Sequence, residues 1–210
     1  MNQNRNIRIT IISLLFVLNF SSVSSQNKLN IIDKTVSFGM RTAILRNINT
    51  IIVHSVYNAS GGNIYDIDLV INQFARYHVS SHYVIGREGT IYQLVREKNV
   101  SFHAGQSTLP DGHHEVNLCS IGIELMDSIG SSPTEEQIRS LTLLVKDIQR
   151  RYAIKYVLRH SDIAPGRKTD PWNMDWEDFM SRISDKGPFI YFKKDSLFNL
   201  KIDSLFRLSH

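Results

Sequence analysis

Thr50-Ile-Ile-Val-His-Ser-Val56 is the stretch from which the fold is read. It is rich in β-branched residues, holds no glycine or proline, and reads as a buried strand. Outward from it, Asn58 to Gly62 is a loop. From Asp66, apolar residues fall at Ile67, Val70, Ile71, Phe74 and Tyr77, the spacing of one helix face. Ser81 to Ile85 is a second strand. Gly86-Arg87-Glu88-Gly89 turns the chain and Thr90 to Val95 returns it, which predicts a hairpin. Residues 101–117 are polar, carry glycine and histidine, and read as a long loop of the kind that often serves function. Cys119 to Met126 is another strand: Ile121, Ile123 and Leu125 take one face, Gly122, Glu124 and Met126 the other. Ser132 as N-cap, Pro133 in the first turn and Glu135 closing a capping box predict a helix start. The stripe Ile138, Leu141, Val145, Ile148 and Tyr152 continues that helix. Lys155 to Leu158 is a short strand and Trp176 to Ile183 a short helix. Strands and helices thus alternate around one hairpin, which predicts a single α/β domain with a central mixed β-sheet flanked by helices.

The chain has 210 residues, enough for one domain with a proper core. Its 42% hydrophobic and 21% charged residues are ordinary for a soluble globular protein. Residues 1–25 read as a secretory signal. Arg5 and Arg8 precede an apolar run from Ile9 to Phe20 that is short for a bilayer span, and Val23-Ser24-Ser25 offers small residues for cleavage before Gln26. An uncleaved anchor is the rival reading. No cysteine lies at the junction, so a lipid-modified cysteine is excluded there. The remainder carries 22 basic and 20 acidic side chains with no basic stripe, which argues against a nucleic-acid partner. A periplasmic or secreted monomer, without a transmembrane segment once the signal is removed, is expected. Residues 26–48 read as a lead-in, 49–184 as the domain and 185–210 as a separate tail. In that tail Asp195-Ser-Leu-Phe-Asn-Leu200 recurs as Asp203-Ser-Leu-Phe-Arg-Leu208. Two copies are too few for a repeat architecture; a segment packed on the domain or one that contacts a partner or membrane are the two readings. Cys119 is the only cysteine and reads as a small buried hydrophobe in a strand.

Of eight histidines, His54 and His160 lie at or just beyond predicted strand ends, where a sheet presents side chains to a cleft. Asp170 follows ten residues later in a polar loop. Zinc favours such nitrogen and carboxylate ligands, and a catalytic site keeps one position open for water. Spacing alone does not define a metal site.

The segment His160-Ser-Asp-Ile-Ala-Pro-Gly-Arg-Lys-Thr-Asp170-Pro171 closely resembles the zinc loop of the amidase type 2 family, the N-acetylmuramoyl-L-alanine amidases related to peptidoglycan-recognition proteins and phage-lysozyme-type amidases. The blocks Ile51-Ile-Val-His54-Ser55, Val79-Ser-Ser-His-Tyr83, Gly89-Thr-Ile-Tyr-Gln-Leu94, His103-Ala-Gly105 and Ser120-Ile-Gly-Ile-Glu-Leu125 follow the family order, over roughly residues 49 to 180. The resemblance implies zinc (Zn2+) bound by His54, His160 and Asp170, with water in the fourth position, and catalytic roles for Glu124 and Lys168. A carboxylate can take that water's proton and pass it to the leaving amine. A cation can steady the oxyanion. Without the resemblance, Glu124 reads as an exposed strand carboxylate and Lys168 as a solvated loop charge; Gly122 beside Glu124 leaves space for a cleft. His103, Asn117 and Arg167 are candidates for substrate contact, with a hydrogen-bonded structural role as the alternative for His103 and Asn117. Asp162 is expected to orient a ligand or tie down the loop. His82 reads as core, and His113 and His114 as loop residues. Three positions depart from the family pattern: Trp172 stands where glycine commonly follows Asp-Pro, Phe102 replaces the tryptophan before His-Ala-Gly, and Ser81 stands near where some members carry a tyrosine. These bear on substrate contacts and not on ligands. The resemblance implies cleavage of the amide between N-acetylmuramoyl and L-alanine in peptidoglycan. The alternatives are a recycling amidase of soluble anhydro-muropeptides, a class that usually acts in the cytosol, a non-catalytic recognition module, or an antibacterial toxin with the same reaction.

Overall fold

The computed structural model describes residues 29–184. The signal segment 1–25 and the tail 185–210 with its repeat lie outside the described residues. Among these residues no helix is long and apolar enough to cross a membrane.

The chain runs β1 (Ile31–Asp33), β2 (Met40–Arg41), β3 (Thr50–Val56), α1 (Ile67–Tyr77), β4 (Tyr83–Ile85), β5 (Ile91–Gln93), β6 (Val100–Ser101), β7 (Ser120–Met126), α2 (Glu135–Arg151), β8 (Tyr156–Arg159), α3 (His160–Ile163) and α4 (Trp176–Ile183). A single 3-10 turn, Val116–Leu118, precedes β7. Six strands form the main sheet in the order β1-β5-β4-β7-β3-β8, and β2 pairs with β6 in a small second sheet. Within the main sheet β4 and β5 are the expected antiparallel hairpin, and the other pairings are parallel. The sheet is therefore mixed, as the alternation of elements predicts.

Strand β3 is buried at every position because it lies between β7 and β8, and the parallel sheet is covered on both sides. Ile51 and Val53 face a cluster that includes Ile121, Ile123, Leu125 and Val157, sealed by Leu141, Val145 and Ile148 of α2 and by Trp176, Phe179 and Met180 of α4. The opposite face is split in two. Ile52 joins Tyr156, Leu158, Ala104 and Leu109 in one cluster. Val56 joins Val84 and Met126 against Val70 and Phe74 of α1 in another. The strand period of two puts His54 between Ile52 and Val56, on this divided face.

Several boundaries differ from the sequence reading. The N-cap of α2 is Thr134 and not Ser132, and the capping box closes on Gln137 and not Glu135. Tertiary contacts decide between the overlapping motifs: the Thr134 hydroxyl donates to Arg87 O at 2.6 Å, and the Gln137 amide donates to Ile85 O and Met126 O. Strand β8 starts one residue late, since Lys155 and Tyr156 both donate backbone N–H groups to Asn49 O. Strand β1 lies within the supposed lead-in and pairs in parallel with β5, so the sheet begins before residue 49. The loop 101–117 is not wholly irregular: it begins on β6 and ends in the 3-10 turn.

Candidate active site

Parallel pairing in register sets His54 of β3 directly beside Glu124 of β7. Strand β8 ends at Arg159, and the chain turns at once into α3, whose first residue is His160. Asp162 fixes that turn. Its carboxylate accepts the Arg159 backbone N–H at 2.9 Å and pairs with the Arg159 guanidinium, so it ties down the loop as expected. The following loop brings Asp170 back, where its carbonyl accepts from Ser161 N–H at 3.0 Å.

This folding gathers His54, His160 and Asp170. All three are buried, and one potential ligand atom from each lies within 4.8 Å of the others. Asp170 Oδ2 stands 3.1 Å from His160 Nδ1 and 3.6 Å from His54 Nδ1. The distal nitrogens are engaged elsewhere: His160 Nε2 is 3.3 Å from Ala104 O, and His54 Nε2 is 2.9 Å from His103 Nδ1. His160 thus lies between two acceptors, the Ala104 carbonyl at Nε2 and the Asp170 carboxylate at Nδ1; a cation held at Nδ1 would put its one proton on Nε2. Two imidazoles and a carboxylate, aimed together and out of water, are the donor set of a three-ligand zinc site, and the residues fit that ion.

Burial dominates the electrostatics. It pushes His54 down to about 4, against the opposing hydrogen bond to Asp170. It also holds His103 well below the ordinary imidazole range, with His54 and His82 adding to the effect. For Asp170, burial acts upward, but the hydrogen bonds to His160 and His54 outweigh it and keep the carboxyl far below its usual range. Glu124 goes the other way. Burial, then the negative charge of Asp170, raise it well above an ordinary carboxyl, while Lys168 opposes them. Two neighbouring carboxyl groups are thus pushed apart, one firmly ionised and one ready to hold a proton, a pattern typical of acid–base sites.

A cleft of about 230 Å³ opens over these groups. Its lining combines His54, Glu124, His160, Lys168 and Asp170 with His103 and with an apolar wall that includes Phe74, Phe102 and Trp172. Glu124 is therefore not an exposed strand residue. Gly122 does not open space for the cleft as its position on the Glu124 face suggests. The His103 ring fills that space, and a Cβ on Gly122 would lie 2.4 Å from His103 Cγ. Of the substrate-contact candidates, His103 reaches the cleft. Asn117 Oδ1 is instead engaged with the backbone N–H groups of His103 and Ala104, at 3.1 and 2.9 Å. Arg167 donates to Ala104 O at 3.1 Å and to Gln106 O. His82 is fully buried, as its core reading predicts, whereas His113 and His114 lie exposed in the loop. Cys119 is buried with its thiol 3.5 Å from Val116 O.

Ser120 and the Ala104 carbonyl sit behind the site and were not evident from sequence. A serine at a strand start and a backbone oxygen carry no signal of type or spacing; only long-range folding gives them a role. Ser55 also joins the site, donating its backbone N–H to Asp170 Oδ2 at 3.4 Å and receiving Trp172 N–H at 3.2 Å.

Comparison with known proteins agrees with this geometry. The 1,6-anhydro-N-acetylmuramyl-L-alanine amidase AmpD of Haemophilus influenzae is 37% identical over 109 residues, covering 50% of this chain and 59% of that protein. The N-acetylmuramoyl-L-alanine amidase AmiD of Escherichia coli is 40% identical over 124 residues, covering 50% of this chain and 45% of AmiD. The matched stretch thus spans about half of each of these relatives. Among solved structures, that of a selenomethionyl AmpD derivative superposes with a TM-score of 0.60 at 28% identity, over 71% of this chain and 93% of AmpD. Escherichia coli AmiD, in complex with the substrate anhydro-N-acetylmuramic acid-L-Ala-D-gamma-Glu-L-Lys, gives 0.56 at 30% identity, over 71% of this chain and 61% of AmiD. The N-acetylmuramoyl-L-alanine amidase profile matches residues 45–173, well over half of the chain and every element of the site from His54 to Asp170, and the chain belongs to this amidase type 2 family.

Proposed function

We propose that the chain is a zinc-dependent N-acetylmuramoyl-L-alanine amidase that hydrolyses the bond between the muramoyl group and L-alanine in peptidoglycan. The observation that carries this reading is the convergence of His54, His160 and Asp170 beneath a cleft that also holds Glu124 and Lys168. Those two histidines and the aspartate would hold the metal. When bound, zinc supplies Lewis acidity, polarising the scissile carbonyl and lowering the pKa of water at its open position to about 7. Glu124 is placed to take a proton from the attacking water. Its raised proton affinity suits it to keep that proton and then donate it to the departing alanine nitrogen. Lys168 brings a cation to the same cleft, where it would steady charge growing on the carbonyl oxygen. Burial of the ligands keeps competing water away and strengthens both effects. The full set of groups also argues against a recognition-only module, which has no use for a proton carrier.

The substrate is wall peptidoglycan in the first instance, with soluble anhydro-muropeptides as the second reading. The latter draws support from the anhydro-muropeptide amidases AmpD among its relatives and from the anhydro-muropeptide held in the AmiD complex. Export to the periplasm or medium, suggested by residues 1–25, favours the polymer. Mature protein incubated separately with purified sacculi and with soluble anhydro-muropeptides, followed by mass spectrometry, is expected to release peptides with a free L-alanine amine from sacculi. Cleavage of the soluble fragments alone would move the assignment to recycling, and cleavage of neither would end the amidase reading. N-terminal sequencing of exported protein should begin near Gln26. Elemental analysis is expected to find one zinc per chain, lost in His54→Ala, His160→Ala and Asp170→Ala, since a three-ligand site has none to spare. Retention of a full equivalent in all three variants would reject the assignment.

A further inference from the structure

Val116 O begins a chain of hydrogen bonds that ends at the metal-facing side of His54. As a carbonyl it accepts only. It takes the Ser120 hydroxyl proton at 2.6 Å. Ser120 Oγ, its proton thus engaged, must accept from its other neighbour, His103 Nε2, at 3.1 Å. His103 then carries its proton on Nε2 and leaves Nδ1 bare. That bare nitrogen, 2.9 Å away, can only accept from His54 Nε2–H. His54 is left with a bare Nδ1, the atom turned toward Asp170. One backbone carbonyl therefore dictates the direction of three successive bonds, and the His54 Nδ1 lone pair is left for a cation between it and Asp170.

The ring that relays this polarity is fixed from several sides. Asn117 Oδ1 accepts the backbone N–H groups of His103 and Ala104, the peptides on either side of the His103 Cα. Gly122, with no side chain, leaves room for its imidazole, which a Cβ there would meet at 2.4 Å. The same peptide segment also serves the other histidine, because Ala104 O receives His160 Nε2. We infer that His103 and Ser120 are positioning residues for the metal: through the Val116 carbonyl they set the tautomer and ring orientation of His54 and so raise the affinity of the site for zinc. This inference rests on the zinc reading above. Hydrogen-bonded partners behind metal-binding histidines commonly contribute about 10–100-fold in affinity.

The test uses the full mature chain and zinc alone, titrated in competition with a chromogenic chelator. His103→Phe keeps a ring but removes the acceptor, and is expected to weaken zinc binding by about 10–100-fold. Ser120→Ala frees the His103 ring to reverse its polarity and should weaken binding in the same direction by less. His103→Asn is the rescue, because its Oδ1 stands where Nδ1 stood and cannot donate; it should retain most of the affinity. In zinc-loaded protein, long-range 1H–15N spectra should show a slowly exchanging His54 Nε2–H in the parent and in His103→Asn, but not in His103→Phe. Equal zinc affinity in the parent, His103→Phe and Ser120→Ala overturns the positioning role while leaving the metal reading standing. His103→Asn as weak as His103→Phe overturns it too. A parent that binds no zinc overturns the metal reading and this inference together.

Discussion

Glu124 and Asp170 are two carboxyl groups lining the same cleft, and their surroundings drive them in opposite directions. Asp170 is ionised because two imidazoles face it; Glu124 is raised because it is buried near that same negative charge with only Lys168 to offset it. Asp170 therefore suits a ligand and Glu124 a proton carrier. Glu124→Gln keeps the shape of the side chain but can no longer accept a proton. It is expected to retain one zinc and muropeptide binding while turnover drops about 10²–10⁴-fold. Lys168→Met removes the cation and should lower kcat more than it alters KM. Single-turnover assays beside equilibrium binding would separate the two. A Glu124→Gln enzyme as fast as the parent would show that another group carries the proton. At this scale the buried cluster of His54, His160 and Asp170 was legible because histidine and aspartate declare their chemistry by type, and the resemblance pointed to Glu124 and Lys168 in the same cleft. For Asn117 and Arg167 the structure adds bonds to the chain's own backbone that residue type could not reveal, since a polar side chain in a loop looks the same whether it faces a ligand or its own backbone.

The strand and helix patterns were legible for the same reason that they form. Alternation in Cys119 to Met126 and the stripe from Ile138 to Ile148 follow the periods of the backbone, so sequence displays which residues share a face; both faces of β7 are buried, one in the core and the other at the site. Strands of two or three residues such as β1 and β2 carry no such period, and their pairing is decided by what lies beside them. The start of α2 shows a local motif overruled in this way. Ser132 to Glu135 and Thr134 to Gln137 both fit a capping box, but Gln137 alone reaches the ends of two strands. Its amide nitrogen lies 3.0 Å from Ile85 O and 3.1 Å from Met126 O, and its oxygen receives Thr134 N–H at 3.0 Å. This side chain thereby ties the helix to β4 and β7, the strand that carries Glu124. Gln137→Leu leaves these buried groups unmatched and should destabilise the fold by about 1–3 kcal/mol or more. Ser132→Ala, by contrast, should change stability by less than about 0.5 kcal/mol. Urea unfolding of the two variants would check the contrast; a larger loss at Ser132 would restore the earlier cap.

Across the molecule, the cluster of His54, His160 and Asp170 is backed by a second buried centre on the other side of His103. Arg46 donates to the carbonyls of Glu97, Asn99, Asn117, Leu118 and Ser120. It thereby holds the backbone of Asn117 and Ser120, whose side chains position His103. His82 lies between this hub and the sheet. Its Nδ1 accepts from Gly122 N–H at 3.0 Å, so its proton sits on Nε2, which donates to Asn99 O at 3.1 Å. Burial and then the Arg46 charge push His82 down to about 3. A second proton would abolish the bond to Gly122, the residue on which the His103 ring rests. The consequence for stability has a definite sign. In the unfolded chain His82 protonates near 6.5, whereas in the folded protein it stays neutral down to about 3. Between these values the unfolded state binds the additional proton, so folding weakens as pH falls and this contribution is complete only above the unfolded value. One such group contributes a slope of about 1.4 kcal/mol per pH unit within the window. His82→Asn keeps an acceptor for Gly122 but cannot titrate. Urea unfolding of zinc-free parent and variant at pH 6, 5 and 4 should therefore give a shallower pH dependence for the variant, by about that slope. The comparison cancels the contributions of His54, His103 and the paired carboxylates, which both proteins share. Parallel curves would mean that His82 is charged in the folded protein, and that the Gly122 bond is not what holds this ring.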